Sequence, residues 1–237
     1  MAWPDLASLG EQPVMAQVVG SGIAFTGAFL VARFLIFPKL SFDFANRSIS
    51  IVHSLVALFF TARALDLTDP LARVGGQPTN DKEIVALAVS LGYFTYDTIC
   101  CMCDSLDVVG NLHHVATIAG LVVGVFNGTC GAELVGCLFL MEVSTPFMHL
   151  RCLFRELGMK DSSLASINQT VFGITYIICR AVISTPLVYK TLTVPTLGWE
   201  HLLVKGGATG IWLVSMFWLK KILEVALGLG GKKKKSS

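Results

Sequence analysis

The chain alternates long apolar segments with short polar loops. Seven apolar segments stand out, and each except the fourth has a length suited to crossing the hydrocarbon core of a bilayer as an α-helix, which takes about 20 residues. Their predicted bounds are 14–36, 49–65, 84–103, 112–127, 131–150, 168–189 and 202–227. The pattern therefore predicts an all-α fold, a polytopic membrane bundle of about seven transmembrane helices.

Helix-breaking residues fall between the segments and support this division. They are Pro38, Pro70, Gly75, Gly76, Pro78, Gly158 and Pro195. Two further prolines, Pro146 and Pro186, lie inside predicted helices. We expect each of them to kink its helix, because proline removes a backbone hydrogen bond.

Composition agrees with a membrane protein and excludes several other classes. Hydrophobic residues make up 54% of the 237 residues and charged residues 14%, whereas soluble domains carry about 25% charged residues. The net charge of +2 comes from basic residues dispersed over loops and one tail, so it does not indicate a nucleic-acid partner. The sequence has neither a glycine-rich phosphate loop nor a hydrolase nucleophile elbow, and it predicts no cofactor.

The seven cysteines lie mostly inside apolar segments. There they are expected to pack as small hydrophobic residues rather than to form a disulfide framework. Cys100, Cys101 and Cys103 form a cluster, but no second cysteine pair follows at zinc spacing, so the sequence predicts no metal site.

Lysine and arginine residues are distributed unequally between the two sets of loops. In membrane proteins the loops on the cytosolic side carry more lysine and arginine than those on the other side. Applied to this chain, the rule predicts a lumenal N-terminus and a cytosolic C-terminus. The predicted cytosolic set has twelve members, Arg33, Lys39, Arg47, Arg151, Arg155, Lys160, Lys220, Lys221 and Lys232 to Lys235. The opposite set has four, Arg63, Arg73, Lys82 and Lys190.

Several ionisable residues are expected inside spans, where each costs about 2.5–3.5 kcal/mol on insertion scales and faces the bundle interior. They are His53, Arg63, Asp97, His113, His114, Glu142, His149 and Arg180. We predict a polar pocket in which Arg180 lies between the carboxylates of Asp97 and Glu142, with Tyr96 and Ser144 also lining it. The alternative is an interior ion pair that sets the register of the helices.

His113 and His114 open the fourth predicted helix and are the candidate catalytic residues. Consecutive helical side chains point about 100° apart, so only one ring is expected to face straight into the bundle. An imidazole oriented by a carboxylate can act as a general base. The alternative is an interfacial pair of histidines bound to backbone and water, and His53, His149 and His201 are expected to be structural or interfacial.

The order of these motifs resembles the TLC-domain family of endoplasmic-reticulum membrane proteins, whose best-known members are the ceramide synthases. The resemblance is carried by Tyr96-Asp97, by His113-His114-Val115-Ala116-Thr117 and by Met141-Glu142-Val143-Ser144-Thr145-Pro146. Glu142 to Phe147 together with Arg151 is more similar to the small, non-synthase TLC-domain proteins. The resemblance implies a lumenal segment and first helix at 1–41, a TLC domain at 42–230 and a cytosolic lysine-rich tail at 231–237.

In ceramide synthases a paired histidine opens the signature motif, and an acyl chain passes from acyl-CoA to a sphingoid amine. This would make His113 and His114 the reaction centre. The second half of that signature is His-Asp followed by another Asp, and here the matching stretch reads Met141-Glu142 and then Thr145.

Two main functions follow as hypotheses. The first is a lipid-homeostasis protein of the endoplasmic reticulum that binds or moves an acyl lipid. The second is an acyl-CoA-dependent sphingoid-base N-acyltransferase. The expected partner is therefore a membrane lipid or a fatty acyl-CoA, and a purely structural membrane protein is a third possibility.

The chain ends in four lysines and two serines, with Lys234 and Lys235 in the fourth and third positions from the carboxyl end. This spacing matches the dilysine signal that coat proteins read to return membrane proteins to the endoplasmic reticulum. The alternative is that the lysines hold the last helix against anionic lipid, at about 1 kcal/mol each.

We expect that changing Lys234 and Lys235 to Ser moves the protein forward to the Golgi or the cell surface, because the coat protein would no longer bind its tail. Fluorescence microscopy of the tagged variant measures this shift. Unchanged reticular localisation would contradict the retrieval signal.

Overall fold

The computed structural model describes residues 13–66, 68–104, 108–195 and 198–227. The α-helices in these ranges are α1 (Val14–Val31), α2 (Phe42–Ala64), α3 (Asp81–Asp104), α4 (Val108–Val122), α5 (Gly131–Glu142), α6 (Thr145–Glu156), α7 (Ser163–Tyr176), α8 (Ser184–Thr193) and α9 (Trp199–Ala226). Three π-helical segments adjoin them: Ala32–Ile36 after α1, Val123–Asn127 after α4, and Ile177–Ile183 between α7 and α8. The tail that carries Lys234 and Lys235 lies outside the described residues.

Six helical stretches of the described chain are long and apolar enough to cross a membrane. They are Val14–Ile36, Phe42–Ala64, Asp81–Cys103, Gly131–Glu156, Ser163–Thr193 and Trp199–Glu224. A shorter apolar stretch, His113–Asn127, corresponds to the predicted fourth segment. The predicted all-α, polytopic membrane fold is therefore confirmed.

Several helices begin earlier than the apolar pattern predicted, among them α2 and α3, which begin at polar capping residues. α2 begins at Phe42 rather than near residue 49, because the Ser41 hydroxyl accepts the Phe44 N–H at 2.9 Å and caps the helix. α3 begins with a capping box, in which Asn80 Oδ1 accepts the Glu83 N–H at 3.0 Å and Glu83 Oε2 accepts the Asn80 N–H at 2.8 Å. Because polar capping residues do not belong to the apolar pattern, that pattern places the starts of these two helices too late in the sequence.

The two prolines predicted to kink their helices lie at different irregularities. Pro146 lies in the first turn of α6, after the break that follows α5. Proline fits this position because the first N–H groups of a helix have no partner within it. Pro186 lies in α8 within the continuous helical stretch Ser163–Thr193, after its π-helical segment Ile177–Ile183.

The predicted breaker Gly158 ends α6 in a left-handed conformation, with φ of 72°. The Met159 N–H donates to the Phe154 carbonyl at 2.8 Å, and the Gly158 N–H donates to the Arg155 carbonyl at 3.2 Å. This pair of bonds is a Schellman motif, which satisfies the last carbonyls of the helix.

The helices from α2 onward surround a common interior, and α1 packs on the outside against α3. α2 packs against α3, α5 and α6, while α4 joins α3 to α9. α9 also packs against α8, and α7 packs against α6, so the helices form a continuous ring around this interior. In the first and last candidate spans, Val14–Ile36 and Trp199–Glu224, only 11% of the most apolar part of the helix is buried inside the protein. This is expected of helices that face lipid on most sides.

The crossing of α1 and α3 depends on a glycine. A Cβ atom at Gly92 would lie 1.9 Å from Ser21 Oγ, 2.3 Å from the Val18 carbonyl oxygen and 2.8 Å from the Gly22 nitrogen. Ser21 Oγ also donates to the Val89 carbonyl of α3 at 3.0 Å. Close backbone approach at small residues is a common way for helices to associate in membranes.

We expect Gly92→Ala to lower the free energy of unfolding by about 1–3 kcal/mol, because the added methyl group has no space and must separate the helices. Gly27→Ala is the matched control, since a Cβ atom at Gly27 meets nothing within 4 Å. Denaturation of the detergent-solubilised protein measures both. Equal stability of the two variants would contradict this account of the crossing.

Candidate functional site

A network of hydrogen bonds around Asp97 joins α2 to α3. The Asp97 side chain is almost fully buried, with 6% of the residue surface exposed. The Asn46 amide donates from Nδ2 to Asp97 Oδ1 at 2.7 Å, and the Tyr96 hydroxyl donates to Asn46 Oδ1 at 2.6 Å. Asn46 therefore holds one carboxylate oxygen and is itself held by Tyr96.

His114 brings α4 to the same carboxylate. Its Nε2 atom lies 3.5 Å from Asp97 Oδ2. Its Nδ1 atom lies 3.3 Å from Thr98 Oγ1, and the Thr98 hydroxyl is 2.7 Å from the Phe94 carbonyl oxygen. The imidazole ring is thus fixed at both nitrogens by side chains of α3.

The two candidate catalytic histidines have different surroundings. His114 contacts α3, whereas His113 is exposed, and the ring centroids are 6.0 Å apart. Of the two, His114 is therefore the one that the structure places against the Asp97 network.

Glu142 is the second buried carboxyl group, with 5% of its surface exposed. It lies beside Ser54 and Thr145 and interacts electrostatically with Asp97. Among the described residues, its Oε2 atom has no hydrogen-bond partner. A buried oxygen in this state can accept a hydrogen bond from water or from a ligand.

Arg180 fills the break between α5 and α6. Its Nη2 donates to the Met141 carbonyl at 2.8 Å and lies 3.4 Å from Thr145 Oγ1. Its Nε donates to Ser144 Oγ at 3.0 Å, and the guanidinium lies 5.2 Å from the centre of the Tyr176 ring. Ser144 is 1% exposed, so it acts here as a buried partner of Arg180.

The direct contacts of Arg180 are to hydroxyl and carbonyl oxygens rather than to the carboxylates of Asp97 and Glu142. No ion pair joins Arg180 to Asp97 or Glu142 in the described part of the chain; Asp97 pairs with His114 instead. The physical reason is the interruption of the helix, which frees the Met141 carbonyl for the arginine.

Sequence reasoning missed the contribution of α2. Besides Asn46, this helix supplies Ser50, which accepts the Tyr93 hydroxyl at 2.9 Å. His53, expected to be structural or interfacial, is 1% exposed and stacks on Tyr93 with 3.6 Å between ring centroids. Its Nε2 atom lies 3.3 Å from Ser90 Oγ, so its role in the bundle is structural. The sequence contains a pattern that indicates this role of α2, a series of polar residues at helical spacing: Asn46, Ser50, His53, Ser54 and Thr61.

His149 lies near the end of the bundle where α2 begins. Its Nδ1 atom is 3.4 Å from Arg47 Nη1, and Arg47 Nε pairs with Asp43 Oδ2 at 2.6 Å. This contact joins α6 to the first turns of α2.

A second polar cluster lies at the opposite end, where the loop before α3 meets α5 and α9. Glu133 Oε1 accepts the N–H groups of Gly75 and Gly76 at 2.8 and 2.7 Å. His201, 6% exposed, lines a small pocket with Gly76 and Glu133. Burial raises the pKa of Cys130, on the same pocket, to about 11, so this thiol is neutral at physiological pH. The cluster holds the loop in place.

Comparison with known proteins agrees with this description. The TLC domain model matches residues 43–224 of the chain, a range that includes every residue of the Asp97 network. TLC domain-containing protein 4 C of Dictyostelium discoideum is 27% identical over 112 residues, which is 45% of this chain. The chain matches 40% of the length of that relative.

We expect Asn46→Leu to lower the free energy of unfolding by about 2–3 kcal/mol, because it leaves the Asp97 carboxylate and the Tyr96 hydroxyl without their partner. Thr95→Val is the matched control on α3: Thr95 is exposed, and its hydroxyl donates to the Leu91 carbonyl of its own helix. Denaturation in detergent measures both variants. Similar stability of Asn46→Leu and wild type would contradict the network.

Proposed function

Because this chain belongs to the TLC-domain family of membrane proteins, we propose that it handles an acyl lipid within its helical bundle and contributes to lipid homeostasis. The acyl chain would lie along apolar helix surfaces, and its polar end would reach the carboxyl and imidazole groups of the interior. Binding sites for small amphiphiles commonly combine apolar walls with a few polar groups that fix orientation.

The observation that carries this proposal is the buried Oε2 atom of Glu142, which lacks a hydrogen-bond partner among the described residues. Buried polar atoms in proteins are nearly always hydrogen-bonded. A hydroxyl or amide of a lipid head group would supply the missing donor. The guanidinium of Arg180, which binds Ser144 and the Met141 carbonyl, would offer a further contact to the same head group.

A second candidate function is the N-acyltransferase, and one contact favours it. The carboxylate of Asp97 lies 3.5 Å from His114 Nε2, and a carboxylate beside an imidazole can orient it for proton transfer. Against this activity stands the sequence Met141-Glu142 with Thr145, which lacks the histidine and second aspartate of the synthase signature.

We expect that the purified full chain retains an acyl lipid and that Glu142→Leu weakens this retention about tenfold or more. A buried polar group that loses its hydrogen-bond partner costs about 1–3 kcal/mol, and 1.4 kcal/mol is tenfold in affinity. Mass spectrometry of the extracted lipids measures the content. Glu224→Gln, at an exposed site on α9 (44% of the side chain), is the control and should retain lipid as wild type does. Equal lipid content in wild type and Glu142→Leu would contradict the proposal.

The same preparations distinguish binding from catalysis. Incubation with acyl-CoA and a sphingoid base, followed by detection of N-acyl product, is run on wild type, His113→Ala and His114→Ala. Product from wild type that is lost in both variants would establish the acyltransferase. No product at any acyl-chain length, from protein that retains lipid, would establish the handling role alone.

We place the protein in the endoplasmic-reticulum membrane, with a lumenal N-terminus and a cytosolic C-terminus where a coat protein can read Lys234 and Lys235. The support is the excess of lysine and arginine on one set of loops. Lys232→Ser with Lys233→Ser is the matched control for the tail variant. It removes the same charge, leaves the dilysine spacing intact, and should remain in the reticulum.

A further inference from the structure

Three side chains of metal-binding type converge beside the buried network. Asp97 and Cys101 are four residues apart on α3 and therefore share a face of the helix, and His114 faces them from α4. One ligand atom from each lies within 4.8 Å of the other two. His114 Nε2 is 3.5 Å from Asp97 Oδ2, and Cys101 Sγ is 3.9 Å from Asp97 Oδ1.

These separations suit a tetrahedral zinc ion. Zinc binds sulfur at about 2.3 Å and nitrogen or oxygen at about 2.0–2.1 Å. Tetrahedral angles then place neighbouring ligand atoms about 3.3–3.6 Å apart. The His114–Asp97 separation of 3.5 Å already lies in this range, and Cys101 Sγ, within 4.8 Å of the other two ligand atoms, would move toward them when the ion binds.

The hydrogen bonds of His114 leave its Nε2 atom available to a metal. The Thr98 hydroxyl lies 2.7 Å from the Phe94 carbonyl, which can only accept, so the hydroxyl donates there. Thr98 Oγ1 then accepts a hydrogen bond from the His114 Nδ1–H at 3.3 Å. In the neutral imidazole the lone pair is consequently on Nε2, and it faces a carboxylate oxygen, so a proton or a metal cation is needed between them.

The surrounding hydrogen bonds are those that usually support metal ligands. Metal-binding histidines commonly donate their other ring N–H to a fixed acceptor, and metal-binding carboxylates are commonly hydrogen-bonded. Thr98 fills the first role for His114, and Asn46 fills the second for Asp97. These contacts hold the side chains of Asp97 and His114 in place. They leave Asp97 Oδ2 and His114 Nε2 available to bind a metal ion.

We propose that Asp97, Cys101 and His114 bind one Zn²⁺ ion. A carboxylate and a thiolate neutralise its two positive charges, which suits a site inside a membrane bundle. The thiol proton of Cys101 leaves to solvent when the ion binds. Thiolate and imidazole ligands favour zinc over magnesium or calcium, and three protein ligands leave a fourth position for water or for an oxygen of a lipid head group.

This inference does not rest on the proposed lipid function, because the metal content is measured on the protein without added lipid. The full-length protein, purified in detergent, is incubated with zinc, desalted and analysed by mass spectrometry for metal. We expect about one zinc ion per chain. Cys101→Ser should lower the zinc content at least tenfold, and Thr98→Val should weaken zinc affinity about 10–100-fold through the lost support of His114.

Cys103→Ser is the matched control. Cys103 is an exposed thiol on the same helix, and the variant should keep its zinc. Replacement of zinc by cobalt gives a direct readout, since a thiolate ligand produces a charge-transfer absorption in the near ultraviolet. This band should be present in wild type and Cys103→Ser and absent in Cys101→Ser.

Wild-type protein that binds no zinc would overturn the proposal and leave a proton shared by Asp97 and His114. Equal zinc content in Cys101→Ser and Cys103→Ser would also overturn it, because the metal would then be bound elsewhere. Circular dichroism and size-exclusion chromatography establish that each variant is folded, so that a loss of zinc reports on the ligand alone.

Discussion

The burial of one carboxylate, Asp97, constrains the bundle more than any other contact. An ionised group away from water is stable only when it is paired and hydrogen-bonded. Asp97 obtains an amide from α2 and an imidazole from α4, so three helices must keep their register for the charge to be satisfied. Helix packing in a membrane, where apolar burial gives little driving force, depends strongly on such contacts.

The break between α5 and α6 solves a related problem. Ending a helix inside a bundle frees carbonyl groups that lipid cannot satisfy. The Met141 carbonyl receives the Arg180 guanidinium and the Thr145 hydroxyl at 2.8 and 3.0 Å. The interruption therefore joins the helices α7 and α8, through Arg180 between them, to the helices α5 and α6.

These two regions give the interior a chemistry that the lipid-facing surface lacks. Apolar residues cover the outer faces, as Ile23 and Phe217 do, whereas the interior contains carboxyl, imidazole, hydroxyl and guanidinium groups from most of the walls. An amphiphile whose chain enters between helices would meet these groups only with its polar end. The same arrangement holds donors of metal-binding type close together, since satisfying a buried charge requires several side chains to converge.

The apolar pattern by itself determined the fold class and the approximate positions of the spans, because the free energy of burying an apolar segment in lipid is a property of local composition. It also identified Asp97 and Glu142 as interior residues, whereas His113, also expected inside the bundle, is exposed. Tertiary structure alone decided their partners. Asn46 and His114 meet Asp97 from other helices, and Arg180 binds a broken helix instead of a carboxylate. The partner of each polar side chain depends on which helices become neighbours. A short-range sequence pattern carries no information about that pairing.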